Sequence, residues 1–159
     1  MSPGHRRDFL LDSSAISALS ASPQLLRVYI NMINERFTGS LLIPVPVLSE
    51  VYGGDPRYDV PVNRLIKTLR GTQEDVYVPL TVPIAIRAGT LRRHALESAK
   101  RRGSKPGKRD ISVPDAQIVA MADDLAHHSA VTILTGDPGH IRQLVTATRR
   151  KNIAVDVLG

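Results

Sequence analysis

Short apolar runs alternate with helical stripes along this chain. Phe9-Leu10-Leu11 is a compact apolar run that stops at Asp12-Ser13-Ser14. It reads as a buried strand followed by a helix start, because Asp and Ser are favoured N-cap residues. Ala15 to Leu19 continue the helix, and Ser22-Pro23 opens a second one by the rule of a cap followed by proline. Along it Leu25, Leu26, Tyr29, Ile30 and Ile33 recur at helical spacing until Gly39-Ser40 breaks the pattern. Leu41-Leu42-Ile43 predicts a second buried strand, punctuated by Pro44 and Pro46, with Val47 to Tyr52 helical and Gly53-Gly54-Asp55-Pro56 a turn. Val62, Leu65, Ile66 and Leu69 mark an amphipathic helix closed by Gly71; Val76-Tyr77-Val78 is a short strand; Pro83 to about Lys100 is a long helix. Ser112-Val113-Pro114-Asp115 starts a helix carrying Ile118, Val119, Met121, Ala122 and Leu125. Val131 to Leu134 is a third core strand, Thr135-Gly136-Asp137-Pro138 turns into a helix with Ile141, Leu144 and Val145, and Ile153 to Val157 is a last strand. Strands alternating with helices predict an α/β layered domain with a mainly parallel sheet. Its 159 residues fit a single domain, 1–159, with no internal repeat or linker.

Composition narrows the chemistry. The chain has no cysteine, so disulfides, zinc–thiolate sites and cysteine nucleophiles are excluded. No apolar stretch approaches the roughly 20 residues of a membrane span and no signal peptide is visible, so a cytoplasmic protein without a membrane is expected. The formal net charge is +6. Basic residues cluster at Arg92, Arg93, Lys100, Arg101, Arg102, Lys105, Lys108 and Arg109, with Glu97 the one acid among them. Such a stretch suits a polyanion, and it also suits a solvated helix end followed by a basic loop over residues 103–108. With four Tyr, two Phe and no Trp, a base-stacking platform is not expected, so any RNA would be held mainly through its phosphates.

Four of the 15 acids stand in telling places. Asp12 follows the first strand and Asp137 the third core strand, and ligands of open α/β sheets bind beyond the carboxyl ends of strands. Asp115 opens a helix, and Glu50 lies on the short helical segment after the second strand. Each also has a structural reading. Asp12 can cap a helix, Asp137 before Pro138 matches an N-cap followed by proline, Ser112 with Asp115 matches a variant capping box, and Glu50 can be a solvated helix acid. Taken together they are embedded in apolar sequence, where unpaired charge is costly, and carboxylates sharing one pocket repel unless a cation sits between them. An all-oxygen site favours Mg2+ or Mn2+ over zinc, and such ions support phosphodiester hydrolysis without histidine. None of the five histidines forms an H-x-x-x-H pair. The D-x-D motif of an aspartyl phosphotransferase is absent at Asp12-Ser13-Ser14.

The segments Phe9-Leu10-Leu11-Asp12-Ser13-Ser14, Ile43 to Val51 around Glu50, Val113-Pro114-Asp115-Ala116 and Thr135-Gly136-Asp137-Pro138, in this order and spacing, resemble the PIN-domain family, and especially its VapC-type toxins. The resemblance spans nearly the whole chain. It implies a three-layer α/β/α domain and a metal-dependent endoribonuclease, with Asp12, Glu50, Asp115 and Asp137 holding Mg2+ or Mn2+. It also implies a homodimer and a small antitoxin that blocks the site. The chain departs from compact members of the family in its long basic stretch before Asp115, where Lys105, Lys108 and Arg109 are candidates for RNA contact. Ser13 and Thr135 carry hydroxyls beside the acids and can orient a carboxylate, a water or the substrate, or cap a helix or turn. Two other readings stay open: a PIN module that binds RNA without cutting it, and a housekeeping RNA-processing nuclease with no antitoxin.

Overall fold

The first apolar run becomes the middle of the molecule. In a computed structural model that describes residues 5–103 and 111–158, β1 (Arg7–Leu11) is the central strand of a five-stranded sheet. The others are β2 (Leu41–Pro44), β3 (Tyr77–Val78), β4 (Ala130–Thr135) and β5 (Ile153–Val157), in the order β3-β2-β1-β4-β5, and every neighbouring pair is parallel. β1 and β4 are buried along their length after the first residue. Both faces of the sheet are therefore covered, which explains why their sequences read as unbroken apolar runs rather than alternating ones.

Among the described residues, seven α-helices fill the connections. α1 (Ser13–Ala21), α2 (Pro23–Arg36), α3 (Leu48–Val51) and α4 (Pro56–Thr72) form one group, with a 3-10 turn, Val45–Val47, leading into α3. α5 (Val82–Arg101), α6 (Val113–Leu125) and α7 (Gly139–Thr148) pack on one another as a second group. α1 and α6 both touch β1 and β4, so the core is continuous from one group through the sheet to the other. The result is the α/β/α layering expected, with a wholly parallel sheet. None of the described helices is long and apolar enough to cross a membrane.

The helix boundaries follow capping chemistry. Ser22 caps α2, its hydroxyl accepting from the Leu25 N–H at 3.2 Å, with Pro23 at the first position. The segment Gly53-Gly54-Asp55-Pro56 is a turn only as far as Asp55, whose carboxylate accepts from the Arg57 N–H, so that Pro56 already belongs to α4. Gly71 does not end α4; the helix runs on to Thr72. Gln73, which follows it, uses its side chain as a piece of strand. It accepts from the Leu41 N–H and donates to the Leu41 and Asp75 carbonyls, extending the ladder beside the two-residue β3. Gly39, just before β2, sits so close to β1 that a β-carbon there would fall 1.7 Å from the Arg7 carbonyl oxygen. No other residue type fits this approach.

The order of strands sets up a site. From β1 the chain builds outward through β2 and β3 on one side, and through β4 and β5 on the other. The reversal of direction between β1 and β4 leaves a crevice beyond their carboxyl ends, the place where ligands of parallel sheets bind. Asp12 follows β1 directly, and Asp137 lies two residues past β4.

Candidate active site

At the end of β1 the backbone passes straight into α1, and Asp12 occupies the junction. Its carboxylate accepts from the Ala15 N–H at 2.8 Å, capping α1, and from the Ser14 hydroxyl at 2.7 Å. The Ser14 oxygen in turn accepts from the Gly136 N–H at 2.7 Å. One hydroxyl therefore ties the end of β1 to the turn after β4. A β-carbon on Gly136 would lie 3.2 Å from that oxygen, so a larger residue would press on the link. Asp12 is 6% exposed. Ser13, half-buried at the first position of α1, makes no hydrogen bond with its side chain among the described residues.

The turn after β4 is fixed from inside. Thr135 is fully buried, and its hydroxyl accepts from the Asp137 N–H at 3.0 Å and donates to the Asp137 carbonyl at 3.1 Å. The side chain of Asp137 is left exposed. The Asp-Pro pair does not work as the cap followed by proline that the sequence suggests. α7 begins at Gly139, its N-cap position is Pro138, and no side chain caps it. The reason is the Thr135 hydroxyl, which already satisfies the turn. The Asp137 carboxylate is thus not spent on a helix end.

Asp115 enters from α6. Ser112 caps that helix, accepting from the Asp115 N–H at 3.2 Å, and this places Asp115 in the first turn. Its carboxyl is held above the usual carboxylate range, first by burial and then by the negative charges of Asp12 and Asp137; a hydrogen bond from Ser112 and the nearby His140 act the other way. Asp12, Asp137 and a histidine at the start of α7 are thereby brought within electrostatic reach of Asp115. Glu50 is not one of the charges acting on Asp115. It is exposed on α3 and lines a neighbouring cavity of about 480 Å3 with Ser17, Arg57 and Tyr58. Lys105, Lys108 and Arg109 lie outside the described residues.

One residue of this centre, Ser14 as the bridge, was not singled out by sequence reasoning; His140, readable from the sequence as lying near Asp137, stands close enough to act on Asp115. The Ser14 signal was within reach, since a hydroxyl two positions after a strand-end acid is placed to return to that acid. The donor set is all carboxylate, with one member desolvated beside two like charges, a combination that suits a hard divalent cation. Among the described residues no three acidic or histidine side chains stand close enough to enclose an ion unaided.

The chain superposes on several solved structures over nearly its full length. One is the DNA-bound VapBC complex from Salmonella typhimurium, at TM-score 0.60 and 16% identity, covering 94% of this chain and 97% of that one. A second is VapBC2 from Rickettsia felis bound to a promoter DNA fragment, at TM-score 0.60 and 14% identity, covering 96% and 99%. A third is FitAB bound to an IR36 DNA fragment, at TM-score 0.57 and 18% identity, covering 94% of each. At these identities the likeness is one of fold. No family model and no curated protein sequence matches the chain.

Proposed function

We propose that this chain is a divalent-metal-dependent endoribonuclease and the toxin half of a toxin–antitoxin pair. The observation that carries the reading is the gathering of Asp12, Asp115 and Asp137 at the switch point of a parallel sheet, with Asp115 raised by burial and by its acidic neighbours. Like charges assembled there are relieved by a bound cation. The fold shared with VapBC and FitAB structures supports the toxin role.

Asp12, Asp115, Asp137 and, from α3, Glu50 would hold Mg2+ or Mn2+. When bound, such an ion supplies a hydroxide near neutral pH and stabilises the leaving oxygen of a phosphodiester. The chain's own residues position this centre. Ser14 fixes one oxygen of Asp12 and keeps the turn after β4 at its side. Thr135 holds the Asp137 backbone so that the carboxylate faces outward. His140, next to Asp115, is placed to steady a phosphate oxygen, and Ser13 is left for the substrate. A small antitoxin would cover the acids, most effectively by inserting an arginine, whose fork matches carboxylates. Val82 and Ile86 on α5 and Val113 on α6 are exposed, apolar positions that a second copy of the chain in a homodimer would cover. The protein would act in the cytoplasm, where its RNA is.

The test is cleavage of RNA by purified protein with Mn2+ or Mg2+. Activity should vanish with excess chelator and in Asp12→Asn or Asp115→Asn, each of which keeps the shape and removes one negative ligand. Glu50→Gln should weaken the metal dependence if α3 contributes its acid. Full activity in chelator would sink the metal mechanism. Recovery of the chain from its host with no small partner would favour the housekeeping nuclease.

A further inference from the structure

α5 and α7 leave a cleft between them of about 490 Å3, away from the acids. Its walls carry Arg101 and Arg102 from the end of α5, Arg142 from α7 and Arg149 at the C-cap of α7, against a single acid, Glu97. None of the four guanidinium groups forms an ion pair among the described residues. Where acids are at hand the fold pairs some of its arginines: Arg87 and Arg150 share Asp123, and Arg57 holds Asp55. Four unpaired like charges around one cavity are an electrostatic vacancy for an anion.

Two further details point the same way. Arg149 has φ of +58°, the left-handed conformation that glycine normally supplies at this helix position, yet an arginine is placed there. Gln143 lines the same wall, and its side-chain carbonyl oxygen is the one buried side-chain polar atom without a partner among the described residues. A turn of that amide into the cleft lets it accept from a hydroxyl.

We propose that this cleft holds the sugar–phosphate backbone of the RNA to one side of the cut, as a non-catalytic track leading away from the acids. The inference rests on the ribonuclease reading above. Continuity is given by α7: His140 at its start acts on Asp115, Arg142 follows two residues on, and Arg149 ends the helix roughly 10 Å further along its axis. RNA suits the walls better than an acidic partner protein. The largest apolar side chains lining the cleft are those of Ala95 and Ala147, and a docking peptide needs apolar anchors, whereas phosphates need cations alone. The ribose 2′-hydroxyl is a donor that the Gln143 carbonyl lacks. With His94 the one ring in the lining, and no Phe, Tyr or Trp, the track grips phosphates rather than reading sequence.

The experiment measures binding of a labelled single-stranded RNA by the Asp115→Asn protein, which removes cleavage from the readout, across a series of salt concentrations. Arg142→Gln combined with Arg149→Gly is then added. Arg149→Gly relieves the left-handed backbone, so this pair should fold; Arg101→Gln with Arg102→Gln, at exposed positions, repeats the test if it does not. Losing two phosphate contacts should reduce the slope of log affinity against log salt by about 1.4. With Asp115 intact, the same pair should still cut a short oligonucleotide that reaches only the acids, while cutting long RNA less well. An unchanged slope overturns the proposal, and so does an acidic polypeptide, polyglutamate, whose binding falls in the variant while RNA binding does not. Failure of the wild-type protein to cut any RNA would refute the ribonuclease reading and leave the binding slope to judge the cleft on its own.

Discussion

Ser14 makes two hydrogen bonds of 2.7 Å, one to each side of the sheet's switch point, while Ser13 beside it makes none with its side chain among the described residues. Adjacent serines therefore have unequal weight. Ser14→Ala should destabilise the protein by about 1 kcal/mol, the ordinary worth of such a bond, because water can reach the freed Gly136 N–H. The effect on the site should exceed the effect on the fold, since Asp12 loses the contact that fixes its Oδ1 and the two strand ends lose their tie. Ser13→Ala should be near neutral in stability. Denaturant unfolding of both variants beside RNA cleavage assays with Mn2+ checks this, and equal behaviour of the two serines would refute it. Asp8 offers a comparison within the same strand. It is buried more deeply than Asp12, at 1% exposure, but accepts from the Ser129 hydroxyl at 2.8 Å and from the Ser40 N–H at 3.3 Å, with Arg6 beside it. Its charge is used up in holding the amino end of β1.

At the scale of elements, the second helix group is pinned by one carboxylate. Asp123 on α6 receives Arg87 from α5 at 3.3 Å and Arg150, just past α7, at 2.7 Å. Asp123→Ala should cost about 2 kcal/mol. That is less than the 3–5 kcal/mol of a fully buried pair, because both arginines keep some access to water. The urea midpoint should fall with an unchanged slope, and Asp123→Asn should recover part of the loss. A midpoint within error of the wild type would show the pair to be ornamental. The strands and long helices were legible in the sequence because burial writes itself as apolar runs and 3.6-residue stripes; β1, α2 and α6 need little else. What stayed hidden depends on partners distant in the chain. Asp8 and Asp123 look like any other acids until Ser129, 121 residues away, and Arg150, 27 residues away, are brought to them. Gln73 posing as a strand and Asp137 released from capping duty were hidden for the same reason. Of the site, Asp12, Asp115 and Asp137 were readable from their positions after strands and at a helix start, whereas the electrostatics of Glu50 depend on how α3 sits, which no local pattern specifies.

Whole-molecule stability should register the strain of the acidic centre. Burial and the charges of Asp12 and Asp137 raise the Asp115 carboxyl above its usual range. Between the ordinary ionisation range of aspartate and this raised value, the native state holds the proton more tightly than the unfolded chain. Stability supplied by that proton is therefore present at low pH and falls as pH rises through the window. In excess chelator, Asp115→Asn should remove this fall and leave the protein modestly more stable than wild type at neutral pH. The gain is modest because the group is only half-buried and water screens it. Thermal melts of both proteins from pH 4 to pH 8 test it, and a variant less stable than wild type at neutral pH would contradict it.

The placement of β4 beside β1 has a consequence in time. A ribosome releases the chain from its amino end, so β1, β2 and β3 are available to one another while the other edge of β1 is still bare. Asp12 then stands alone. Asp115 and Asp137 reach it only after α6 and β4 have been made and β4 has docked on that edge. At synthesis rates of about 5–20 residues per second, the interval between the first acid and the last is on the order of ten seconds. A nascent or prematurely terminated chain lacking β4 thus cannot gather the three acids, and the centre is completed in a single late event. On the toxin–antitoxin reading proposed above, an antitoxin already present in the cell would have that interval in which to be waiting.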